Sequence, residues 1–551
     1  MLYREIRGLH EAAYILALFA FGSQILALIR DRLMAHQFGA DATLDVYYAA
    51  FRIPDLLFVA FASMLSVYVL IPFVADRILE GTERARELIS TVFTWFLIWY
   101  ATVALVIFMF APLISHVFFP GFSPLEQQHL VSMMRIMLIQ PFLLSLSSLF
   151  GVVTQLHRKF VLYAISPLLY NVGIIVGIAW LYPIWGIQGL AIGVVAGAFA
   201  HMAVQIPFVH HSGLSPRLLM QIDTELLGRI LKVSVPRALT LMLQQFVLLA
   251  LTGLATFMAT GSVAVMQFAY NLQSVPLAII GVSYSVAAFP TLARLFSEGD
   301  RVAFVQHVYT ALRHIIFWSI PALALVVVLR AQLVRVVLGS GAFDWDDTRL
   351  TAAALALFIV ALASQAVHLL VVRAYYAAGN TRTPLLVTAL SSTLTIFLAG
   401  YLFIFYEQHP AFARFLSDFF RVEDVAGTEI LIIPLAFSSV FLIHGFVLTG
   451  LFVYQYGRGI ASDLGGVFLR SVGGAITASA AAYIALNALV DGFRVETFMG
   501  IFMQGVIAGL IGIAAGIAFL ASARSPELTE VSTSLHHRFW KSRPIAPQET
   551  E

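Results

Sequence analysis

Charged side chains stand inside otherwise apolar sequence near the N-terminus: Arg30, Asp31, Arg32, Arg52 and Asp55. An ionisable group at bilayer depth costs several kcal/mol unless it faces protein or water, so such residues are functional candidates by default. Arginine can donate two parallel hydrogen bonds to a phosphate from its planar fork. The chemistry these residue types offer is therefore capture of an anion in a polar cavity within a helical bundle. Arg135, in MMRIMLIQP, and Arg237, after Pro236, are further cations that could reach such a cavity. Gln244, Gln245, Asn271 and Gln273 could line such a cavity as hydrogen-bonding groups, although polar residues also join membrane helices to one another.

Structural readings stand beside these. Arg30 could pair locally with Asp31 or Asp45, and Arg52 with Asp55 at i,i+3. Asp45 begins a helix, where a carboxylate caps free amides. His201, Gln365 and His368 read as packing positions. Arg313 and Arg470 lie nearer helix ends, where snorkelling to the interface explains them. Arg373 and Arg382 flank a Gly379-Asn380 turn and suit lipid phosphates.

The elements that must position these residues follow from composition. The 551 residues are 60% hydrophobic and 11% charged, with a mean hydropathy of +0.89. That balance belongs to an all-α polytopic membrane protein, because only helices satisfy their own backbone in lipid and the apolar runs are long and continuous. The net charge of +2 excludes nothing, and no nucleic-acid partner is expected. Cysteine is absent, which removes disulfides, thiolate metal sites and cysteine nucleophiles. Apolar windows predict about fourteen transmembrane helices. They run over 12–36, 45–76, 87–115, 126–156, 160–182, 186–210, 227–256, 264–293, 302–329, 347–377, 384–405, 429–454, 466–490 and 498–522. The first is a retained helix rather than a signal peptide.

Basic residues alternate across this map. Arg77, Arg84, Arg86, Arg158, Lys159, Arg217, Arg229, Lys232, Arg294 and Arg301 follow even-numbered helices, while the loops 37–44, 116–125, 183–185 and 257–263 carry no Lys or Arg. By the positive-inside rule both termini are cytoplasmic. The loop Glu407–Thr428, with Phe415, Phe419 and Phe420, is expected along the outer surface. The tail after Ser522 is polar and Pro-containing, with partial disorder and room for a short interfacial helix. The acidic group Asp344, Asp346 and Asp347 reads as helix capping rather than a metal site.

An internal repeat relates the halves. SMLSVYVLIPFVADRILEG at 63–81 aligns without gaps to GVSYSVAAFPTLARLFSEG at 281–299, pairing Pro72 with Pro290 and Gly81 with Gly299. Helices one to six and seven to twelve then form two pseudo-symmetric six-helix lobes, with two C-terminal helices added. The corresponding regions are 1–222, 223–456, helices thirteen and fourteen at 457–522, and a cytoplasmic tail at 523–551.

Several motifs carry a family resemblance. Arg30-Asp31, Phe38-Gly39-Ala40, Asp45 and Phe51-Arg52-Ile53-Pro54 occur in order and at the family's spacing, followed by GSVAVMQFAYNLQSVPLAIIGVSYSVAAFPTLARLF (Gly261–Phe296) and VRAYYAAGNTRTP (Val372–Pro384). With fourteen predicted spans, the chain resembles the MurJ (MviN) lipid II flippases of the multidrug/oligosaccharidyl-lipid/polysaccharide exporter superfamily. The resemblance implies a V-shaped pair of lobes around a cationic cavity, with a lipid-tail groove at helices thirteen and fourteen. It implies transport, not catalysis: a polyprenyl-diphosphate-linked peptidoglycan precursor moves from inner to outer leaflet by alternating access in the bacterial cytoplasmic (inner) membrane.

Arg30, Arg52, Arg237, Arg135, Asn271 and Gln24 are then the cavity candidates. Asp31, Asp45, Asp55, Gly39, Pro54, Arg373 and Pro384 are the structural or gating candidates. Partners are the lipid-linked saccharide and membrane lipids, with other cell-wall synthesis proteins as candidates. No cofactor or metal is expected; the membrane potential or a monovalent ion could drive the cycle. Departures matter: this chain has Ser23-Gln24 where the family usually has Ser-Arg, Phe58 where it has an arginine, and Tyr270-Asn271 where it has Asp-Arg. They keep alternatives open, namely another lipid-linked glycan, a cation-coupled drug exporter, or a nontransporting scaffold.

Overall fold

A computed structural model describes residues 9–220, 223–458, 463–489 and 497–539. The expected lobe boundary at 222 and the end of the tail, 540–551, lie outside the described residues. Every regular element among the described residues is helical, as a chain that must satisfy its backbone in lipid requires.

In chain order the first helices are α1 (Leu9–Phe38), α2 (Ala42–Met64), α3 (Val67–Glu80), α4 (Thr82–Phe118), α5 (Pro124–Met137) and α6 (Ile139–Leu156). Next come α7 (Phe160–Val176), α8 (Tyr182–Trp185), α9 (Ile187–Ala203), α10 (Ile206–His211), α11 (Thr224–Ala255) and α12 (Ser262–Leu277). Then follow α13 (Ser283–Ser297), α14 (Arg301–Val337), α15 (Trp345–Ile359), α16 (Leu362–Ala377), α17 (Arg382–Gln408) and α18 (Pro410–Phe420). The last are α19 (Ile432–Gln455), α20 (Leu464–Ala488), α21 (Phe498–Ser522) and α22 (Pro526–Phe539).

Among the described residues, 12 helical stretches are long and apolar enough to cross a membrane, and α15 with α16, bent by 44°, makes up to 13. The first expected span corresponds to α1. Expected helix two is broken: α2 ends at Met64 and α3 restarts after Ser66. Its repeat partner is interrupted by a π-helical turn, Ala278–Val282, before α13. The paired glycines of the repeat, Gly81 and Gly299, follow α3 and α13 and both have positive φ, at 127° and 78°.

The chain forms two compact units. The first holds residues up to Leu272 with 337–354 and 381–440; the second holds 273–336, 355–380 and the residues from Phe441 onward. Lipid tails are as apolar as leucine, so helices associate through close packing and small residues. In the first unit α7 and the π-helical turn that follows it meet α9 through Gly173, Gly177, Gly193 and Gly197, and a Cβ on Gly173 would lie 2.2 Å from the Cα of Gly197. In the second, α20 and α21 meet through Ala478, Ala482, Gly512 and Gly516.

Candidate functional site

The first unit contains a continuous polar chain across α1, α2, α7, α11 and α12. Arg52, buried on α2, donates from Nε to Thr252 Oγ1 (2.7 Å) and from a terminal nitrogen to Gln267 Oε1 (2.5 Å). Gln267 donates to Asn271 Oδ1 at 2.6 Å, one turn along α12. Asn271 donates to Asp31 Oδ2 at 2.9 Å. The other oxygen of Asp31 accepts the fork of Arg30, at 2.9 and 2.8 Å. Arg30 also donates to Asn171 Oδ1 (3.2 Å), and Asn171 donates to Ser23 Oγ (3.2 Å).

The direction of this chain is dictated by its ends. Arginine is donor only, so Gln267 must show its oxygen to Arg52 and its amide nitrogen to Asn271. Asn271 must then offer its own nitrogen to Asp31, and Asp31 must be an acceptor on both sides. A carboxylate meets that demand. Charge is balanced locally, since Asp31 pairs with Arg30 while Asp55, beside Gln140, acts on Arg52. The Arg30 side chain keeps 22% exposure against 6% for Asp31, so the guanidinium is the reachable member of its pair.

One end of this unit is sealed by backbone contacts. Gly261 (φ +91°) leaves 2.1 Å between a Cβ built on it and the Ala40 carbonyl oxygen, and Gly341 (φ +61°) leaves 2.3 Å to the His36 oxygen. Any side chain at either position would part the segments of the seal. Gly39 ends α1 in the same cluster, and a Cβ there would lie 2.8 Å from the Ala342 oxygen. The backbone bond from Ala342 N to His36 O, 2.9 Å, closes the contact.

Asp45 belongs to this seal. It was expected to cap its own helix, but α2 begins earlier and Asp41 does that work, accepting from the amides of Thr43 and Leu44. Asp45 instead reaches across to the start of α12, accepting from Gly261 N at 2.6 Å and Ala264 N at 2.8 Å. Asp347 accepts from Ala40 N (3.2 Å) and shares a capping arrangement with Asp344, which accepts from Asp347 N (2.9 Å).

The remaining predicted residues are placed elsewhere. Arg135 points away from the buried Met133, Met134 and Met137 of α5; it donates to the Phe108 oxygen (3.1 Å) and lies over that ring. Arg237 is half-buried on α11, and Gln24 is exposed on α1. Pro54 is buried within α2 and Pro384 within the first turn of α17. Arg52 hydrogen-bonds α11 and α12, while Asp55, expected as its i,i+3 partner, acts on it through charge. In the second unit Arg373 turns inward to Ser285 Oγ (2.9 Å), where lipid phosphate was expected. His201 bonds Ser147, Gln365 bonds Gln273, and His368 bonds His444, so these isolated polar residues are satisfied in pairs. Among the described residues no group of three or more His, Cys, Asp or Glu could hold a metal. Sequence reasoning missed Ser23, Asn171, Thr252 and Gln267. Each is a polar residue within an apolar helix, the one signal that could have found it.

A family model described as lipid II flippase MurJ matches residues 34–417. A probable lipid II flippase MurJ of Thermotoga maritima is 26% identical over 464 residues, covering 80% of this chain and 93% of the relative. One of Rhizobium tropici is 26% identical over 398 residues, covering 69% and 73%. A solved structure of lipid II flippase MurJ in an inward closed conformation superposes with a TM-score of 0.73 at 21% identity, over 95% of this chain and 99% of that one. An inward-facing multidrug resistance MATE family transporter superposes with a TM-score of 0.63 at 15% identity, over 80% and 96%. The charges within apolar helices, the helical architecture and the match over most of the sequence converge on one assignment: the chain belongs to the lipid II flippase MurJ family of membrane transporters.

Proposed function

We propose that this chain moves lipid II, a polyprenyl-diphosphate-linked peptidoglycan precursor, from the inner to the outer leaflet of the bacterial inner membrane. The observation that carries the residue-level reading is Arg30, a half-buried guanidinium held by Asp31 in a chain of hydrogen bonds across five helices. An oxygen of a diphosphate can take the place of the one Asp31 oxygen that accepts both nitrogens of the Arg30 fork. Exchanging one anion for another avoids leaving the arginine unpaired, which at a buried site costs about 3–5 kcal/mol. Release of Asp31 would free Asn271, and the connection from α1 to α12 would loosen. Substrate capture and helix movement are coupled through that step.

Orientation follows from the basic residues. The loops poor in Lys and Arg carry the sealed end, so that end faces outward and both termini face the cytoplasm. Entry is from the inner leaflet with the outer seal shut. Alternating access then requires the contacts at Gly261, Gly341 and Asp45 to part once cargo is bound.

The test is replacement of a chromosomal lipid II flippase by this chain, measuring lipid II in the outer leaflet, with Arg30→Ala alongside. Transport by the wild type and its loss in the variant support the reading. A stable, membrane-inserted chain that moves no lipid II refutes it and transfers the assignment to another lipid-linked glycan.

A further inference from the structure

The second unit holds a second pair of arginines, at the end of the bundle where the last helix docks. Arg313 of α14 donates to Glu527 Oε1 from two nitrogens, at 3.0 and 2.6 Å. Arg470 of α20 lies 3.7 Å from the same oxygen and bonds Asp463 at 2.8 Å. Glu527 is fully buried, and its other oxygen accepts from Ser525 at 2.7 Å. Glu530, one turn on, bonds His314 at 3.0 Å and lies 3.7 Å from Arg313. Leu528 packs against a small core of Phe317, Val467 and Leu520. The first turn of α22 is thus pinned across α14, α20 and α21.

Arginines near helix ends of a membrane protein ordinarily reach lipid phosphates. Here they converge on a carboxylate of the chain's own tail. The seat also offers a donor that this carboxylate does not use: Arg470 Nε is buried with no hydrogen-bond partner among the described residues. A carboxylate presents two oxygens, whereas a phosphate presents a further acceptor in another plane. The turn into α22 passes through Arg524 in the left-handed region (φ +49°), a conformation that a side-chain-bearing residue leaves readily once α22 is undocked.

We propose that Arg313 and Arg470 form a binding seat for a phosphate anion, as carried by an acidic lipid headgroup or by free phosphate, and that Glu527 is its intramolecular occupant. The tail and the external anion exclude each other. A tethered carboxylate competes at an effective concentration on the mM scale. Headgroups confined to the leaflet beside the same helices have a comparable advantage. The acidity of the surrounding lipid therefore sets whether α22 is docked. This site is separate from the Arg30 chain and does not depend on which cargo is moved.

Because the chain has no cysteine, labels are placed uniquely. Spin labels at Ser532→Cys on α22 and Thr310→Cys on α14, both exposed, report docking by pulsed dipolar spectroscopy. In phosphatidylcholine nanodiscs one short, narrow distance is expected; in phosphatidylglycerol nanodiscs a second, longer population rises at least severalfold. Glu527→Gln shifts the tail outward already in phosphatidylcholine. Adding excess inorganic phosphate to the phosphatidylcholine sample distinguishes the sources: release there assigns a soluble anion, and release only in phosphatidylglycerol assigns the lipid. Native mass spectrometry of the unmutated chain, with phosphatidylglycerol retained over phosphatidylcholine, supports the seat without relying on a variant. A distance distribution unchanged by lipid charge and by phosphate, with no preferential lipid retention, overturns the proposal.

Discussion

Replacing Asp31 by asparagine changes one atom and breaks the polarity of the whole chain through the first unit. The introduced amide can show its oxygen to Arg30, but its nitrogen then faces the nitrogen of Asn271, which lies 2.9 Å from Asp31 Oδ2 in the wild type. Turning Asn271 over moves the clash to Gln267, and turning Gln267 over moves it to Arg52, which cannot accept. One donor is left facing another wherever the defect is placed. A buried unsatisfied donor costs about 1–3 kcal/mol. Arg30 also loses its charge partner, and breaking a buried pair costs about 3–5 kcal/mol. Because the Arg30 side chain keeps 22% exposure, the low end of each range applies, and a total of about 4 kcal/mol is expected. Asn271→Asp alone brings a second carboxylate against Asp31 and is also destabilising. The double exchange, Asp31→Asn with Asn271→Asp, restores every hydrogen bond, although Arg30 then faces a neutral amide oxygen and its charge partner lies one residue further along the chain. The carboxylate now on α12 accepts from Gln267 and from the amide introduced on α1, whose own oxygen still accepts from Arg30. Denaturant unfolding of the four proteins in detergent gives the coupling energy directly, and more than about 1 kcal/mol of mutual rescue is expected. Losses that simply add, or an Asp31→Asn protein as stable as wild type, refute the directional chain.

Gly261→Ala should open the seal, because its Cβ would sit 2.1 Å from the Ala40 oxygen at a positive φ; raised labelling of a single cysteine placed at Ser262, buried in the sealed structure, measures this. Arg135→Leu, outside the Arg30 chain and set against Phe108, should leave flipping within about twofold, as measured beside Arg30→Ala; a loss equal to that of Arg30→Ala would bring Arg135 back into the site. Docking of α22 should depend on pH. Burial alone would raise the carboxyl of Glu527, but hydrogen bonds from Arg313 and Ser525 hold it below its usual value. The docked value being the lower one, its contribution is fully present above the undocked value, near 4.3, and is lost as pH falls through the docked value. Limited proteolysis of the tail should therefore be slow at neutral pH and accelerate in acid, whereas Glu527→Gln should be cleaved rapidly at every pH.

Helical periodicity and charge at depth made much of this molecule legible in its sequence. Continuous apolar runs leave a chain in lipid no alternative to helices, so the architecture followed directly, and charge at depth singled out Arg30, Asp31 and Arg52 as candidates. Partnership was not legible. Whether Arg52 bonds Asp55 one turn along or Gln267, 215 residues away, depends on which face of α2 packs against α12. That face is set by tertiary contacts such as Tyr48 against Phe268, which leave no periodic mark. Asp45 illustrates the same limit, since its type announced a cap but not that the capped helix would be α12. The departure at Asn271 is the sharpest case. Read along the sequence, a neutral residue in place of the family's arginine meant a weaker anion site. In the fold, Asn271 is the relay that joins Asp31 to Gln267, and its amide can both accept and donate where an arginine could only donate. Asn271 thus holds helices together where the sequence pointed to cargo, and Arg30 is the more exposed of the two arginines in this chain of hydrogen bonds.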